Sequence, residues 1–337
     1  MIVHHIVMSD LNSIWIANEL WKERKFIMKN IIFLAPVFKT MIWGGNKLAT
    51  EFGYPIPNDN TGECWAISAH KNGDCEIKSG EYSGRTLSWL WDHHRELFGN
   101  AEGEVFPLLI KIIDAKTDLS IQVHPDDAYA ASQENGALGK TECWYILDAD
   151  EDAEIVIGHN AKDKEELAQM IRENRWKELI RLCPIKKGDF FQIEPGTVHA
   201  IKKGTFILET QQNSDITYRL YDYDRLDNGK PRELHIDKSI DVINCPYTGL
   251  EVRGELTQNA ECDIEELINC DFYGVKRIRM HGEQVFIQEF KFLNVSIIGG
   301  SGEIDGVGIS KGDHFILPYG YGSFRLKGEM ELIISHQ

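Results

Sequence analysis

The chain has 337 residues, of which 42% are hydrophobic and 26% charged, ordinary values for a globular protein with length enough for two domains or one large one. A formal net charge of −17 excludes a broad nucleic-acid surface, which needs a basic footprint, but leaves room for a small phosphorylated ligand held by a few cations. No apolar run approaches the roughly 20 residues that span a bilayer, so no membrane partner is expected.

The first 27 residues, MIVHHIVMSDLNSIWIANELWKERKFI, lack the basic start and cleavage site of a signal peptide. Met28, followed by KNIIFLAPVF, reads as a natural start. Residues 1–27 are therefore expected to be an N-terminal extension from a misassigned start codon, with an amphipathic arm as the alternative. From there the chain reads mostly as short strands separated by Gly, Pro, Asn and Asp turns, as in a sandwich or barrel. TGECWAISAH (61–70) is the first clear example. TLSWLWDHHRELFG (86–99) reads as a helix whose adjacent His93 and His94 cannot share a face, and so as carrying solvated or capping histidines.

SIQVHPDD (120–127) alternates like a strand, placing Ser120, Gln122 and His124 on one face. Asp126 and Asp127 read as caps of a helix that follows. In GKTECWY (139–145), Lys140, Glu142 and Trp144 share a face by the same parity, and CWYILDA (143–149) continues the strand. DKEELAQMIRENRWKELIRLC (163–183) is the clearest helical segment, capped by Asp163 with Glu166 three residues on and striped by Leu167, Met170 and Ile171. Its register slips at RENR, which allows two shorter helices. Strands follow in DFFQIEPG (189–196), EPGTVHAI (194–201), which delivers His199 after a Pro-Gly turn, and GTFILETQQ (204–212). ILETQQNSDITYRLYD (207–222) carries Glu209 and Arg219. GGSGEIDGVG (299–308) fails the dinucleotide-binding spacing and reads as hairpin turns.

KKGDFFQIEPGTVHAI (186–201) aligns with SKGDHFILPYGYGSFRL (310–326) through K-G-D-x-F and a later Pro and Gly. This faint repeat predicts two related β-domains, the second offering Ser323 or Phe324 where the first has His199. The seven cysteines form no C-x-x-C pair and read as scattered reduced thiols, hence a cytoplasmic protein.

Gln122, His124, Glu142 and His199 together make a plausible set of metal ligands, two imidazoles, a carboxylate and an amide oxygen, suited to zinc or a neighbouring divalent ion. Spacing alone leaves the bland reading open. A histidine near a turn can simply bond to backbone, Glu142 can pair with Lys140, and Arg219 with Asp222 or Asp224.

SIQVHPDD, GKTECWY and PGTVHAI, followed by Glu209 and Arg219 and preceded by PVFKTMIWGG (36–45) and TGECWAISAH, resemble in order and spacing the type I phosphomannose isomerases. These are zinc-dependent mannose-6-phosphate isomerases of the cupin superfamily, here of the shorter bacterial branch. The resemblance runs from about Met28 to the C-terminus. It implies a mostly β, double cupin fold with a small helical insertion. Residues 28–245 would form the metal-binding catalytic cupin domain, and 246–337 a smaller cupin-like domain without metal ligands.

The resemblance further implies one Zn2+ per chain on Gln122, His124, Glu142 and His199. Arg219 matches the family's catalytic arginine and Glu209 an acidic residue of the same pocket. Lys140 and Ser120 match substrate positions associated with the phosphate, and Lys140 also falls among the expected catalytic residues. The implied reaction interconverts D-mannose 6-phosphate and D-fructose 6-phosphate through a cis-enediol, with Glu209, a water or a histidine as the base. The alternatives are a non-catalytic sugar-phosphate-sensing cupin and a cupin metal enzyme of other specificity. The expected partner is a hexose 6-phosphate, and the expected state a monomer or weak homo-oligomer.

Overall fold

The computed structural model describes residues 30–249 and 255–337, so the expected 1–27 extension lies outside the described residues. The chain packs into two units, each assembled from separated stretches. One comprises Phe38–Trp65 and Leu108–Val252; the other takes the chain up to Val37, Ala66–Pro107 and the C-terminal stretch. The division expected at 245/246 thus falls near the end of the first unit, but 28–245 is not one body. Residues 66–107 join the C-terminal stretch because the strand Glu76–Ile77 pairs with Ile32–Ala35, which in turn pairs with His314–Leu317.

The first unit is built on two sheets. One has the strand order Ile180–Pro184, Glu154–His159, His199–Ile201, Ile121–Val123, Tyr218–Tyr221. The other runs Phe190–Ile193, Glu142–Ala149, Thr205–Gln212, Leu108–Ala115, Thr61–Ile67, Val37–Thr40. Both faces of Leu108–Ala115 are covered, which is why its sequence, LLIKIIDA, is a nearly continuous apolar run. Ile113, Trp144, Ile146 and Ile207 of one sheet meet Ile155 and Ile201 of the other in a shared core. Burying each such side chain contributes about 1.5–3 kcal/mol.

The helical insertion starts as its cap predicts, the Asp163 carboxylate accepting a 2.8 Å hydrogen bond from the Glu166 N–H. The helix Lys164–Arg172 ends near Asn174, whose φ is 56°, and a short turn of helix follows at Trp176–Leu179. Residues 180–183, expected in the helix, instead form a strand, because the open edge of Glu154–His159 offers backbone partners there.

The K-G-D repeat is a repeat of structure. The Asp189 carboxylate accepts from the Lys186 N–H at 2.8 Å, and that of Asp313 from the Ser310 N–H at 2.9 Å. Gly188 and Gly312 both take the left-handed conformation, with φ of 90° and 94°, that these tight turns demand. In the C-terminal unit the turn feeds a sheet dominated by the long strands Leu293–Ile304 and Gly322–His336. Its interior is apolar: Phe324, at the position aligned with His199, stacks on Phe286 amid Phe315, Leu326 and Leu332. The Gly-rich stretch forms the expected hairpin, turning at Asp305 and Gly306.

Candidate metal centre

Four of the conspicuous sequence segments converge where the two sheets of the first unit face each other. His199 and Gln122 are register partners on adjacent strands. Arg219 pairs with Gln122 from the other side. From the opposite sheet come Glu142, on Glu142–Ala149, and Glu209, whose partners across its two neighbouring strands are Trp144 and Lys111. Local turns deliver these residues. Asp126 caps the helix Asp127–Gln133, as predicted, by accepting from the Tyr129 N–H at 2.8 Å. Gly139 then passes so near that a Cβ there would lie 2.4 Å from the Asp126 carbonyl carbon, and this close approach brings Lys140 in beside His124. Gly196, at φ 81°, donates its N–H to the His124 carbonyl at 2.9 Å and so ties the two histidine segments together.

His124, Glu142 and His199 are fully buried, and their ligand atoms lie within 4.8 Å of one another. Nε2 of His199 stands 3.1 Å from Nε2 of His124 and 3.5 Å from Glu142 Oε1. Glu142 Oε2 lies 3.4 Å from His124 Nε2. The Gln122 amide nitrogen is 3.3 Å from His199 Nε2. Each imidazole spends its other nitrogen on a main-chain carbonyl, His124 Nδ1 on Ile216 and His199 Nδ1 on Thr197, both at 2.8 Å. Each Nδ1 therefore carries the proton, and both Nε2 lone pairs turn inward.

Two acceptors at 3.1 Å repel unless a cation stands between or beside them. Ligands about 2.0–2.1 Å from a tetrahedral ion are about 3.3–3.4 Å apart, so this donor set fits a divalent metal in chemistry and in spacing. The carboxylate oxygen Glu142 Oε2 makes no hydrogen bond of good geometry, although Lys140 Nζ lies 2.6 Å away.

The electrostatics of the centre favour a cation. Burial, reinforced by Lys140, pushes the His124 imidazole down to about 3, and burial likewise lowers His199, so both are neutral ligands at neutral pH. Burial alone would raise the Glu142 carboxyl, but Lys140, His124 and His199 together outweigh it and hold Glu142 well below the usual carboxylate range. Glu209 behaves oppositely: burial and the charge of Glu142 push its carboxyl up. Its two oxygens are held by Trp144 Nε1 at 3.2 Å and Lys111 Nζ at 3.2 Å.

Lys140 and Ser120, both expected near the phosphate, meet different partners. Lys140 Nζ is buried at the metal cluster, 3.2 Å from His124 Nε2 and 4.0 Å from Glu209. Ser120 accepts a 3.2 Å hydrogen bond from Arg219 Nε. Gln122 and Arg219 are only half-buried, so the centre is approached from their side. Arg219 does not pair with Asp222, the bland alternative, because Arg225 and Arg232 hold that carboxylate. Burial and the neighbouring Arg232 disfavour the Arg219 charge, so an anion placed there is welcome.

Lys111, Arg225 and Arg232 went unnoticed in the sequence. For Lys111 the signal existed: a lone lysine in an otherwise apolar strand must have a buried partner. The arginines carry no such mark, since RLDNGKPR reads as an ordinary polar hairpin. His93 proves to be a capping histidine, its Nδ1 on the Trp89 carbonyl at 2.9 Å.

A barrel of facing sheets with a histidine–glutamate cluster between them, its turn-and-strand unit repeated in a second sheet, defines a double cupin. The chain belongs to the type I phosphomannose isomerase family. The family model for the type I phosphomannose isomerase catalytic domain matches residues 31–172, and that for the mannose-6-phosphate isomerase cupin domain matches 263–337. The chain is 53% identical over 310 residues to mannose-6-phosphate isomerase ManA of Bacillus subtilis, covering 90% of this chain and 98% of that one. It is 48% identical to a mannose-6-phosphate isomerase of Streptococcus mutans, covering 92% and 99%. The crystal structure of a Bacillus subtilis mannose 6-phosphate isomerase, 48% identical, superposes with a TM-score of 0.90 over 91% of this chain and 99% of that one. A phosphomannose isomerase variant from Salmonella typhimurium, 15% identical, shares the fold with a TM-score of 0.75, covering 91% and 99%.

Proposed function

We propose that the chain is a zinc-dependent mannose-6-phosphate isomerase, interconverting D-mannose 6-phosphate and D-fructose 6-phosphate through a cis-enediol. The observation that carries this reading is the buried meeting of two inward Nε2 lone pairs with the Glu142 carboxylate, beside a half-buried Arg219. His124, His199 and Glu142 would hold the ion. Gln122 would join them once its amide turns over, which exchanges oxygen for nitrogen without changing its shape. The ion would act as a Lewis acid where negative charge builds on oxygens 1 and 2 of the sugar.

The protein's own groups do the rest. Arg219 is half-buried and bonds to the buried Ser120 hydroxyl; the guanidinium would stabilise the developing enediolate charge and the hydroxyl would lie on the side of the substrate phosphate. Arg225 and Arg232 add positive charge around Asp222 near that same end. Lys140, buried and committed to Glu142, suits catalysis at the cluster better than a contact to a solvated phosphate dianion. Glu209, its carboxyl raised by burial, is the group we assign to carry the proton between carbon 2 and carbon 1, with Lys111 and Trp144 fixing its oxygens. The protein would act in the cytoplasm as a monomer or weak homo-oligomer, a setting consistent with its seven cysteines being thiols.

The test is a coupled assay of fructose 6-phosphate formation from mannose 6-phosphate, run beside other hexose phosphates, with metal analysis of the same sample. Turnover that favours mannose 6-phosphate, with about one zinc per chain, is expected for one complete ligand set. Metal without turnover on any hexose phosphate would favour a sensor, and turnover of another sugar phosphate alone would reassign the substrate.

A further inference from the structure

Among the described residues Tyr218–Tyr221 is the edge strand of its sheet, with Ile121–Val123 as its one neighbour there. An edge residue whose main-chain N–H and C=O point away from the sheet needs partners from elsewhere. For Arg219 both partners come from His235. The His235 imidazole Nδ1 accepts from the Arg219 N–H at 3.2 Å, and the His235 N–H donates to the Arg219 carbonyl at 2.8 Å. Because both polar groups of Arg219 face outward, its pairing with Gln122 is of the non-hydrogen-bonded kind, which brings the two side chains closest together.

His235 is itself fixed. It begins the helix Ile236–Val242, where its carbonyl accepts from the Ser239 N–H at 2.9 Å and the Ser239 hydroxyl at 2.7 Å. Two residues earlier, the Glu233 carbonyl accepts from Arg219 Nη1 at 2.9 Å. The same short segment thus holds the arginine's backbone and its guanidinium.

We propose that His235 is a positioning residue for Arg219, standing in for the missing neighbour strand and so keeping the guanidinium on Ser120 and toward the substrate. This rests on the reading of Arg219 given above. The acceptor at Nδ1 is the working feature, because it alone among the side-chain atoms of His235 meets the Arg219 backbone. Asparagine places an oxygen near that position; leucine fills similar space without an acceptor.

The experiment compares His235→Asn, His235→Leu and Arg219→Ala with the parent metal-loaded enzyme, by kcat and KM for mannose 6-phosphate and by metal content. For His235→Leu, kcat is expected to fall about 10–100-fold, the effect of a displacement of about 1 Å at a charge-stabilising group. KM should stay within about threefold and metal content should not change. His235→Asn should stay within about threefold of the parent kcat, as expected where one hydrogen bond of similar geometry is kept. Leucine and asparagine variants equally impaired would show that ring size, not the acceptor, matters, and would overturn the proposal. So would an unimpaired leucine variant when Arg219→Ala is inactive. Full turnover by Arg219→Ala would overturn the reading of Arg219 itself, and the inference with it.

Discussion

Nε2 of His124 and Nε2 of His199 stand 3.1 Å apart, with the opposite nitrogen of each ring given to a main-chain carbonyl. The backbone thereby selects the tautomer in which two lone pairs confront each other. Within a buried site such a confrontation persists only where positive charge compensates it; Lys140, 3.2 Å from His124 Nε2, is one such charge, and the cluster has the donors to take a metal ion as another.

His124→Ala removes one member of this confrontation. Metal content should fall from about one per chain to below about a tenth after dialysis, as expected when one of three or four ligands is lost. Elemental analysis of the dialysed protein decides it. Retention of a full equivalent would mean that the ion, if present, sits elsewhere.

Arg219→Lys tests the other side of the site. Lysine keeps the charge but loses the planar fork that reaches both Ser120 Oγ and the Glu233 carbonyl. Metal content should be unchanged while kcat falls by about 10²–10³-fold, the usual cost of a misplaced charge-stabilising group. Steady-state kinetics on the metal-loaded variant provides the check, and a rate near the parent's would remove Arg219 from the chemistry.

The Lys111–Glu209 pair separates stability from catalysis. Lys111→Met leaves the Glu209 carboxylate buried with one fewer cation, and should cost about 3–5 kcal/mol in urea unfolding. Adding Glu209→Leu should recover much of that stability, since an apolar pair replaces a buried ion pair at little net cost. Turnover should stay lost in the double variant. If activity returned along with stability, Glu209 would have no part in moving the proton.

Much of this centre could be read from the sequence because strand parity is rigid. Ser120, Gln122 and His124 had to share a face, and Glu142 with Trp144 likewise. What parity cannot say is which faces meet, since that depends on which strands become neighbours across the barrel. The order of the motifs supplied that link, through resemblance. Lys140 shows both sides: parity put it on Glu142's face, and its Nζ lies 2.6 Å from Glu142 Oε2, but its place beside His124 follows from the close approach at Gly139, a tertiary detail with no periodic signature. The strand at 180–183 escapes for a similar reason: its partner, Glu154–His159, lies across the intervening helical insertion, and the local sequence does not announce that pairing. The assignment of residues 66–107 to the C-terminal unit depends on strand pairing that local sequence does not announce.

Away from the site, His314 makes stability depend on pH. Burial pushes its imidazole down to about 3, and its Nδ1 lies 2.9 Å from the Ser296 hydroxyl. Unfolded, the ring would titrate near the ordinary value of about 6.5. Between those values the unfolded state binds a proton that the native state refuses, so stability rises with pH through the window and is lost as the pH falls below about 6.5. Each such group contributes at most about 1.4 kcal/mol per pH unit. His314→Asn, compared with the parent by urea unfolding at several pH values from neutrality down to about 5, should show a slope shallower by up to that amount. Identical slopes would show that the ring is protonated in the native state as readily as in the unfolded one.

The central claim, that a metal held by His124, Glu142 and His199 is needed to isomerise mannose 6-phosphate, is tested most directly by stripping and restoring the ion. The protein is treated with a chelator, freed of it, and assayed for fructose 6-phosphate formation while zinc is added back in measured fractions of an equivalent. Turnover should vanish on stripping and return in proportion to bound zinc, levelling off at about one per chain, as a single ligand set requires. Full turnover by protein shown to contain no metal would contradict the account.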